Sequence, residues 1–398
     1  MGFIIKKPKG LVFPKIFRLA VILLIASVGF SLVDTFWAVY IEGFVHNSSL
    51  VGFISSFLAL VSFFSFFFIV PLIEKYDKAR IFSISLLLIA ISYFVFAVTT
   101  NFYLFLFIAV LATIFHNLRI TSFGIIVRGK SSNKKLSRNE GVMYSFLNLA
   151  WFIGPLIAGL LSEYFKISVI FGLSGIFVLI SLVYFSFLRI HERKIRKRID
   201  KNIVKIFFDF FKNKERVIAY CLGGGVNYWW SLIYIFIPLY IIKNGLGLDY
   251  IGYFLFSVSI PLISFSYFFS NLAGKIGFKR IFKIGFLIPC LASLVCFFVS
   301  NVYATLLILV LASVGLSMLE ATTEAYFFDT LKGKEDLRFY GPYNTTIDVN
   351  HFISRVIGGV ILLFFPFNYL FLFFSISMLG FFILSFKTKN INESRRKN

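Results

Sequence analysis

Apolar residues gather in twelve long runs along the chain, and the short polar stretches between them alternate in charge. The runs cover residues 19–40, 50–70, 81–99, 102–126, 142–161, 167–187, 217–240, 250–270, 281–299, 303–327, 341–364 and 368–386. A helix needs roughly 20 apolar residues to cross a hydrocarbon core of about 30 Å, and each run meets that length. None alternates as a barrel strand would, so the backbone polar groups must be satisfied inside helices. The pattern predicts an all-α membrane protein with twelve transmembrane helices. Between the sixth and seventh runs, Ile203–Phe211 (IVKIFFDFF) is amphipathic and too short to cross, and is expected to lie along the membrane surface.

Charge then orients the spans. Of the 40 Lys and Arg, all but four lie in the N-terminus, the even-numbered connections or the C-terminal tail. Lys166 and Lys243 sit in odd-numbered connections, and Arg119 and Arg355 lie inside spans. By the positive-inside rule both termini and the 188–216 linker face the cytoplasm, as in a multi-pass protein of a plasma or inner membrane. The net charge of +22 is spread over separate segments. That distribution suits anionic lipid headgroups and argues against nucleic acid as a partner.

Cofactor and metal chemistry find little to stand on. Cys221, Cys290 and Cys296 fall in apolar runs without metal or disulfide spacing. No Walker-type phosphate loop occurs, which argues against direct ATP drive. Met1–Gly10 is basic and precedes an apolar run, as in a signal peptide. That run passes 20 residues and carries Asp34 without a small-residue cleavage pattern, so it reads as a retained first span.

The chain also repeats itself with a period of 200 residues. Pro71–Phe82 (PLIEKYDKARIF) aligns with Asn271–Phe282 (NLAGKIGFKRIF). Asn101 and Tyr103 match Asn301 and Tyr303, Arg138 and Gly141 match Arg338 and Gly341, and Gly52 and Gly159 match Gly252 and Gly359. Matched polar loop residues are hard to obtain by chance among apolar runs. Two pseudo-symmetric six-helix bundles are therefore expected, residues 1–187 and 217–398. The linker between them, 188–216, carries 11 Lys and Arg against four acids.

Two motifs carry a family resemblance. The connection between spans 2 and 3 holds Leu72, Glu74, Lys75, Lys78 and Arg80, and its repeat holds Leu272, Lys275, Gly277, Lys279 and Arg280. The fifth span contains Ala150, Gly154, Pro155, Ala158 and Gly159. These resemble the loop signature Gly-x-Leu-x-Asp-Arg-x-Gly-Arg-Arg and the span-5 signature Gly-xxx-Gly-Pro-xx-Gly-Gly of the major facilitator superfamily (MFS). Val70 and Asp77 replace the loop glycines, and Ala replaces two glycines of the span-5 pattern. The resemblance implies that the loop residues form a gating latch, that spans 1, 4, 7 and 10 line a central cavity, and that no enzyme chemistry is involved. The span-5 pattern, commonest in proton-coupled drug exporters, implies efflux ahead of uptake.

Ionisable side chains inside a membrane are costly, about 3 kcal/mol or more at its centre, so each is a functional candidate. Asp34 and Trp37 share a face of span 1, and His116 and Arg119 share one of span 4. Asn227, Trp230 and Tyr234 form a stripe on span 7, and Ser317, Glu320 and Glu324 one on span 10. Asp348, His351 and Arg355 lie on span 11, where Arg355 could pair with Asp348 or Glu320. Asp34, Arg119 and Glu320 are the proton-coupling candidates, and the other stripe residues with Asp348 and Arg355 are the candidates for contact with solute. In the family a span-4 arginine often works with a span-1 acid. Here Arg119 is followed by Ile120-Thr121-Ser122-Phe123, without the Gln and Gly of the family motif. The expected protein is a monomeric, proton-coupled carrier of a small organic solute. An uncoupled facilitator and a symporter for a sugar or organic anion are the alternatives, and a membrane enzyme or sensor is more remote.

Overall fold

The computed structural model describes residues 15–130, 136–188, 203–331 and 335–389. Six long helices come first: α1 Lys15–Val45, α2 Ser48–Lys75, α3 Lys78–Val98, α4 Phe102–Lys130, α5 Leu136–Ser162 and α6 Ile167–Phe187. The short α7, Ile203–Phe211, follows. The seventh crossing is α8 Lys214–Ser231, a π-helical turn Leu232–Phe236, and α9 Ile237–Lys243. Then come α10 Leu248–Ile276, α11 Phe278–Phe298 and α12 Val302–Asp329. The eleventh crossing is α13 Glu335–Asn344 with α14 Thr346–Phe364, and α15 Asn368–Ser385 is the twelfth. Twelve helices among the described residues are long and apolar enough to span a bilayer, and no strand occurs there. Two sequence-predicted crossings prove to be broken, the seventh by the π turn and the eleventh between Asn344 and Thr346.

The repeat is visible in the backbone. Bounds of α2, α3 and α4 recur in α10, α11 and α12 about 200 positions later. Asn101 caps α4 by accepting from Leu104 N at 3.1 Å, and Asn301 caps α12 by accepting from Ala304 N at 3.0 Å. The turn after α2 diverges from its partner. Asp77 caps α3, accepting from Arg80 N at 2.7 Å, whereas Gly277 ends α10 at φ 88°, a left-handed conformation that favours glycine.

Small polar side chains stay compatible with an apolar bundle because they close hydrogen bonds on their own helix. Thr35 donates to Ser31 O at 2.7 Å and Ser174 to Ile170 O at 2.8 Å, so neither offers an exposed donor to lipid. Aromatic rings fill the interior of each half. In the first, Tyr40, Phe96, Phe105 and Phe171 interlock between α1, α3, α4 and α6. In the second, Phe278 and Phe282 pack on Tyr326, and Phe286 stacks on Phe381 at 5.6 Å. Such pairs add directional preference to simple burial.

The halves meet along α2 against α14 and α5 against α10, tightest at the end opposite the basic connections. There Gly52 lies over Gly359, with the position of its missing Cβ 3.0 Å from the Gly359 Cα. The repeat-equivalent pair is Gly159 over Gly252, where the matching distance is 3.1 Å. Any side chain at these four positions would enter the facing backbone. Ser49 Oγ donates to Gly359 O beside one crossing, and Tyr253 Oη donates to Glu163 Oε1 at 2.5 Å beside the other.

At the basic end α7 is fastened to the second half. Arg216 Nε donates to Phe210 O at 3.1 Å and its Nη2 to Asp209 O at 2.7 Å, satisfying carbonyls at the α7 C-terminus. The guanidinium lies 4.0 Å from the Phe339 ring centroid. Asp209 accepts from Arg338 at 2.6 Å and from Lys212 at 2.9 Å. Phe207 reaches the first half, with its ring 5.4 Å from Phe67 of α2.

Two outcomes follow from this packing. Gly252→Val should part the halves at the glycine crossings, because overpacking a close contact costs about 1–3 kcal/mol. Spin labels on cysteines at Asn101 and Asn301, in a background without the native cysteines, should move to a longer mean distance. An unchanged distribution in well-folded Gly252→Val protein would mean that the crossing does not hold the halves. The second concerns Asp209. The hydrogen bond from Lys212, with the charges of Lys212 and Arg338, holds its carboxyl below the ordinary value. Its contribution is therefore present above that ordinary value and lost as pH falls through the lowered one. At neutral pH, Asp209→Asn should speed proteolytic cutting within 188–216 relative to the parent chain. Equal cutting rates would remove Asp209 as the fastener.

Candidate functional site

A layer of ionisable groups crosses the interface between the halves at mid-helix. The side chain of Asp34, half-buried on α1, makes no hydrogen bond and no ion pair within 4 Å with any described residue. Two guanidinium groups still act on it electrostatically, that of Arg355 on α14 first and that of Arg119 on α4 second. One belongs to each half.

Arg119 is 9% exposed, and its guanidinium lies 4.2 Å from the Phe30 ring centroid. It makes no hydrogen bond with another described residue, and its Nε is fully enclosed. Phe30 is one turn before Asp34, so one face of α1 presents a carboxylate and a cation-binding ring together. Tyr93 Oη and His116 Nε2 are 3.1 Å apart beside this group, with Phe30 meeting the His116 ring edge-on at 4.8 Å.

Arg355 donates from Nη1 to Ser55 O at 3.0 Å, across the interface, while its Nε has no partner. The charges acting on it are Asp34 and then Asp348. Asp348 is itself engaged by Ser62 of α2. Asn117 Nδ2 joins the same cluster, donating to Ser62 Oγ at 2.9 Å and Ser65 Oγ at 2.7 Å.

Across from these groups the π turn sets Tyr234 against two tryptophans. The Tyr234 ring is 5.5 Å from Trp230 and 6.0 Å, edge-on, from Trp151 of α5. A π turn adds a residue to the helical repeat and recurs at functional sites. Here Pro238, lacking an N–H, follows it, and Gly358 gives the Phe236 ring room. Glu320 is exposed at mid-helix on α12, and no charged group acts on it. Both Asp34 and Glu320 are within electrostatic reach of the Tyr234 hydroxyl.

The structure thus brings together Asp34, Arg119, His116, Arg355, Tyr234 and, at one remove, Glu320. Several expectations change. Arg355 is shared by Asp34 and Asp348 and does not pair with Glu320. Trp37 packs on Phe96 at 5.6 Å and Phe105 at 5.7 Å, inside the aromatic interior of the first half. Ser317 is fully buried and donates to Val314 O at 2.7 Å, so it serves α12 packing. Tyr228 turns into the second half, accepting from Ser377 at 3.1 Å. Asn227 closes a bond on Gly223 O at 3.0 Å, and Glu324 lies lower, against Tyr340. Lys75, Arg80, Lys275 and Arg280 are exposed, and Lys75 leans on the Tyr76 ring at 5.6 Å. The Glu74 side chain lies outside the described set.

Ala150 and Ala158 of the span-5 motif are fully buried, and Gly154 admits Ser31 of α1. The backbone at Pro155 and Gly159 receives Gly252. Every position of that motif is accounted for by packing. Phe30, Tyr93, Trp151, Ser55 and Ser62 were not singled out as site residues by sequence reasoning. Only Trp151 had a signal, as a polar-tipped aromatic beside the Gly-Pro pair.

Comparison with known proteins agrees with this architecture. The Major Facilitator Superfamily model matches residues 19–265 and 230–398. An uncharacterized MFS-type transporter of Methanocaldococcus jannaschii is 23% identical over 265 residues, covering 64% of this chain and 67% of that protein. Among solved structures, a POT family transporter in complex with 5-aminolevulinic acid superposes with a TM-score of 0.78 at 12% identity, covering 93% of this chain and 94% of that one. The nucleoside transporter NupG gives 0.77 at 12% identity over 94% and 99% of the two chains. At such identities these structures speak for the fold alone. With the family model matched over almost all of its length, the chain belongs to the Major Facilitator Superfamily and is a multi-pass membrane transporter of small solutes.

Proposed function

We propose that the protein is a proton-coupled secondary carrier of a small organic solute, with Asp34 as the coupling acid. One observation supports this above the others: the Asp34 carboxylate has no direct partner among the described residues, while an arginine from each half lies in its electrostatic reach and Arg355 crosses the interface to Ser55 O. Burial disfavours a charged carboxylate and a nearby guanidinium favours it. When one half rocks against the other, the distance from Asp34 to Arg355 changes, and with it the affinity of the acid for a proton. A carrier needs that link between proton occupancy and the side to which the cavity opens. Arg119 keeps a fixed neighbour in Phe30 within its own half, so it provides the constant part of the field and Arg355 the variable part.

Efflux belongs to this proposal only through the likeness of the α5 motif to exporters. The motif's packing role is equally compatible with uptake. The basic connections support an orientation with both termini and α7 in the cytoplasm of a plasma or inner membrane. They also support contact with anionic headgroups on that side. A single chain contains both halves of the interface, which supports a functional monomer.

Asp34→Asn should abolish proton-driven accumulation in proteoliposomes while leaving solute exchange measurable. An internal pH dye and a solute panel provide the readout. Accumulation against a gradient by Asp34→Asn protein would move the coupling site elsewhere. Orientation is tested separately. Single cysteines at Ser48, Asn101 and Asn301 should label from outside intact cells, and one at Asn202 should not. The inverse pattern would reverse the assignment of sides.

A further inference from the structure

The charges of the central layer have two poles, and this bears on the solute; the inference rests on the carrier reading above. At one pole are two guanidinium groups from opposite halves. Neither makes an ion pair within 4 Å with a described residue, and both have an enclosed Nε without an acceptor. The Arg119 guanidinium makes no hydrogen bond with a described residue, and Arg355 uses one nitrogen on Ser55 O. Guanidinium groups favour planar oxyanions, which take two parallel hydrogen bonds. Asp34 acts on both arginines but touches neither, so it is no substitute for a bound oxyanion.

At the other pole is Glu320, an exposed mid-helix carboxylate with no ion pair within 4 Å among the described residues. The rings of Trp151, Trp230 and Tyr234 pack together and come from both halves, with the Tyr234 hydroxyl in electrostatic reach of both Asp34 and Glu320. A carboxylate beside aromatic faces suits an ammonium group. An anionic solute would satisfy the arginines and confront Glu320. A cationic solute would satisfy Glu320 and leave the arginines without oxyanions. Either mismatch is expensive where water is excluded.

We propose that the solute is a zwitterion, its oxyanion held by Arg119 and Arg355, its ammonium by Glu320, and its apolar middle by Trp151, Trp230 and Tyr234. Because each group of the solute meets a different part of the interface, binding draws the halves together. The incoming oxyanion also takes up counter-charge that Asp34 otherwise supplies, so solute binding and protonation of Asp34 become linked.

Three probes of one shape separate the poles: para-(aminomethyl)benzoate carries both charges, para-toluate the anion and para-methylbenzylamine the cation. Calorimetric titration of the full chain in lipid nanodiscs should give the zwitterion at least about tenfold tighter binding than either single-charge probe, roughly 1.4 kcal/mol. Glu320→Gln should bring the zwitterion down to the affinity of para-toluate, and Arg355→Gln down to that of para-methylbenzylamine. Should Arg355→Gln fail to fold, Arg355→Lys keeps a cation without the planar fork and should retain part of the preference. The proposal is overturned if either single-charge probe binds as tightly as the zwitterion. It is equally overturned if the zwitterion shows no saturable heat below about 10 mM. Tight zwitterion binding without proton movement in sealed liposomes would uphold this assignment and defeat the coupling proposal alone.

Discussion

Two glycine-on-glycine crossings govern the shape of this transporter. Gly52 over Gly359 and Gly159 over Gly252 bring backbones of opposite halves to distances that no side chain permits. Lipid offers helices no hydrophobic reason to associate, so close backbone packing must supply the attraction. These crossings hold the end opposite the basic connections shut, and the rest follows geometrically. With one end pinned, α1 and the α8–α9 crossing can diverge toward the basic end, and the charged layer lies along the interface at mid-depth. The glycines are unfavourable for helix propensity, by about 1 kcal/mol each against Ala. Their retention at repeat-equivalent positions is explained by contact alone. A contact built from small residues is also easily undone, which suits an end that must open in the opposite phase of a cycle.

The second constraint is the cost of charge inside a membrane. Buried ions are usually matched to a direct partner, since desolvation otherwise outweighs attraction. Asp34, Arg119 and Glu320 depart from that habit, each lacking an ion pair within 4 Å among the described residues. The basic end shows the contrast, where Asp209 bonds directly to Lys212 and Arg338 and holds α7 in place. Paired charges there make a fastening. Unpaired ones at mid-depth are what the carrier proposal assigns to protons and solute, and the electrostatic reach of Arg355 and Arg119 helps to keep Asp34 tolerable there.

Much of this was legible in the sequence, for definable reasons. Span length and positive-residue placement are bulk properties of a bilayer solvent, so twelve helices and the amphipathic α7 could be read directly. The 200-residue period was legible because matched Asn, Arg and Gly residues are rare in apolar sequence, and the bounds of α2, α3 and α4 recur at that spacing in α10, α11 and α12. Pairings between helices were another matter. Helical periodicity puts Asp34 and Trp37 on one face, yet α1 is wrapped by neighbours on nearly all sides. That face is divided, with Asp34 toward the interface and Trp37 against Phe96 and Phe105. Ser317 fell to the same ambiguity, since a stripe at i, i+3 and i+7 is wide enough to straddle a cavity and a packed interior. Arg355 was seen as a charge, but its partner depended on which helix α14 faces. The span-5 motif was legible through its resemblance to the family signature, and only the structure shows that its small residues meet Ser31 and Gly252.

The duplication finally explains why the site is polar in one sense and not symmetric. Positions that pack recur across the repeat: Gly52 with Gly252, Gly159 with Gly359, Asn101 with Asn301. Positions of the charged layer and its rings do not: Tyr93 faces Ser293 in the alignment, His116 faces Leu316, Trp151 faces His351, and Arg355 faces Pro155. A faithful copy would have set like groups opposite each other about the pseudo-twofold axis. Two arginines or two acids so placed repel, and each would need its own buried counter-ion. Dropping the charge from one copy removes that conflict and leaves unlike groups across the interface. The same substitutions that relieve repulsion also make possible the two-sided arrangement proposed above, with guanidinium groups on one side and a carboxylate with aromatic rings on the other. Packing therefore keeps the two halves alike where they must slide on each other, and electrostatics keeps them different where they must hold something between them.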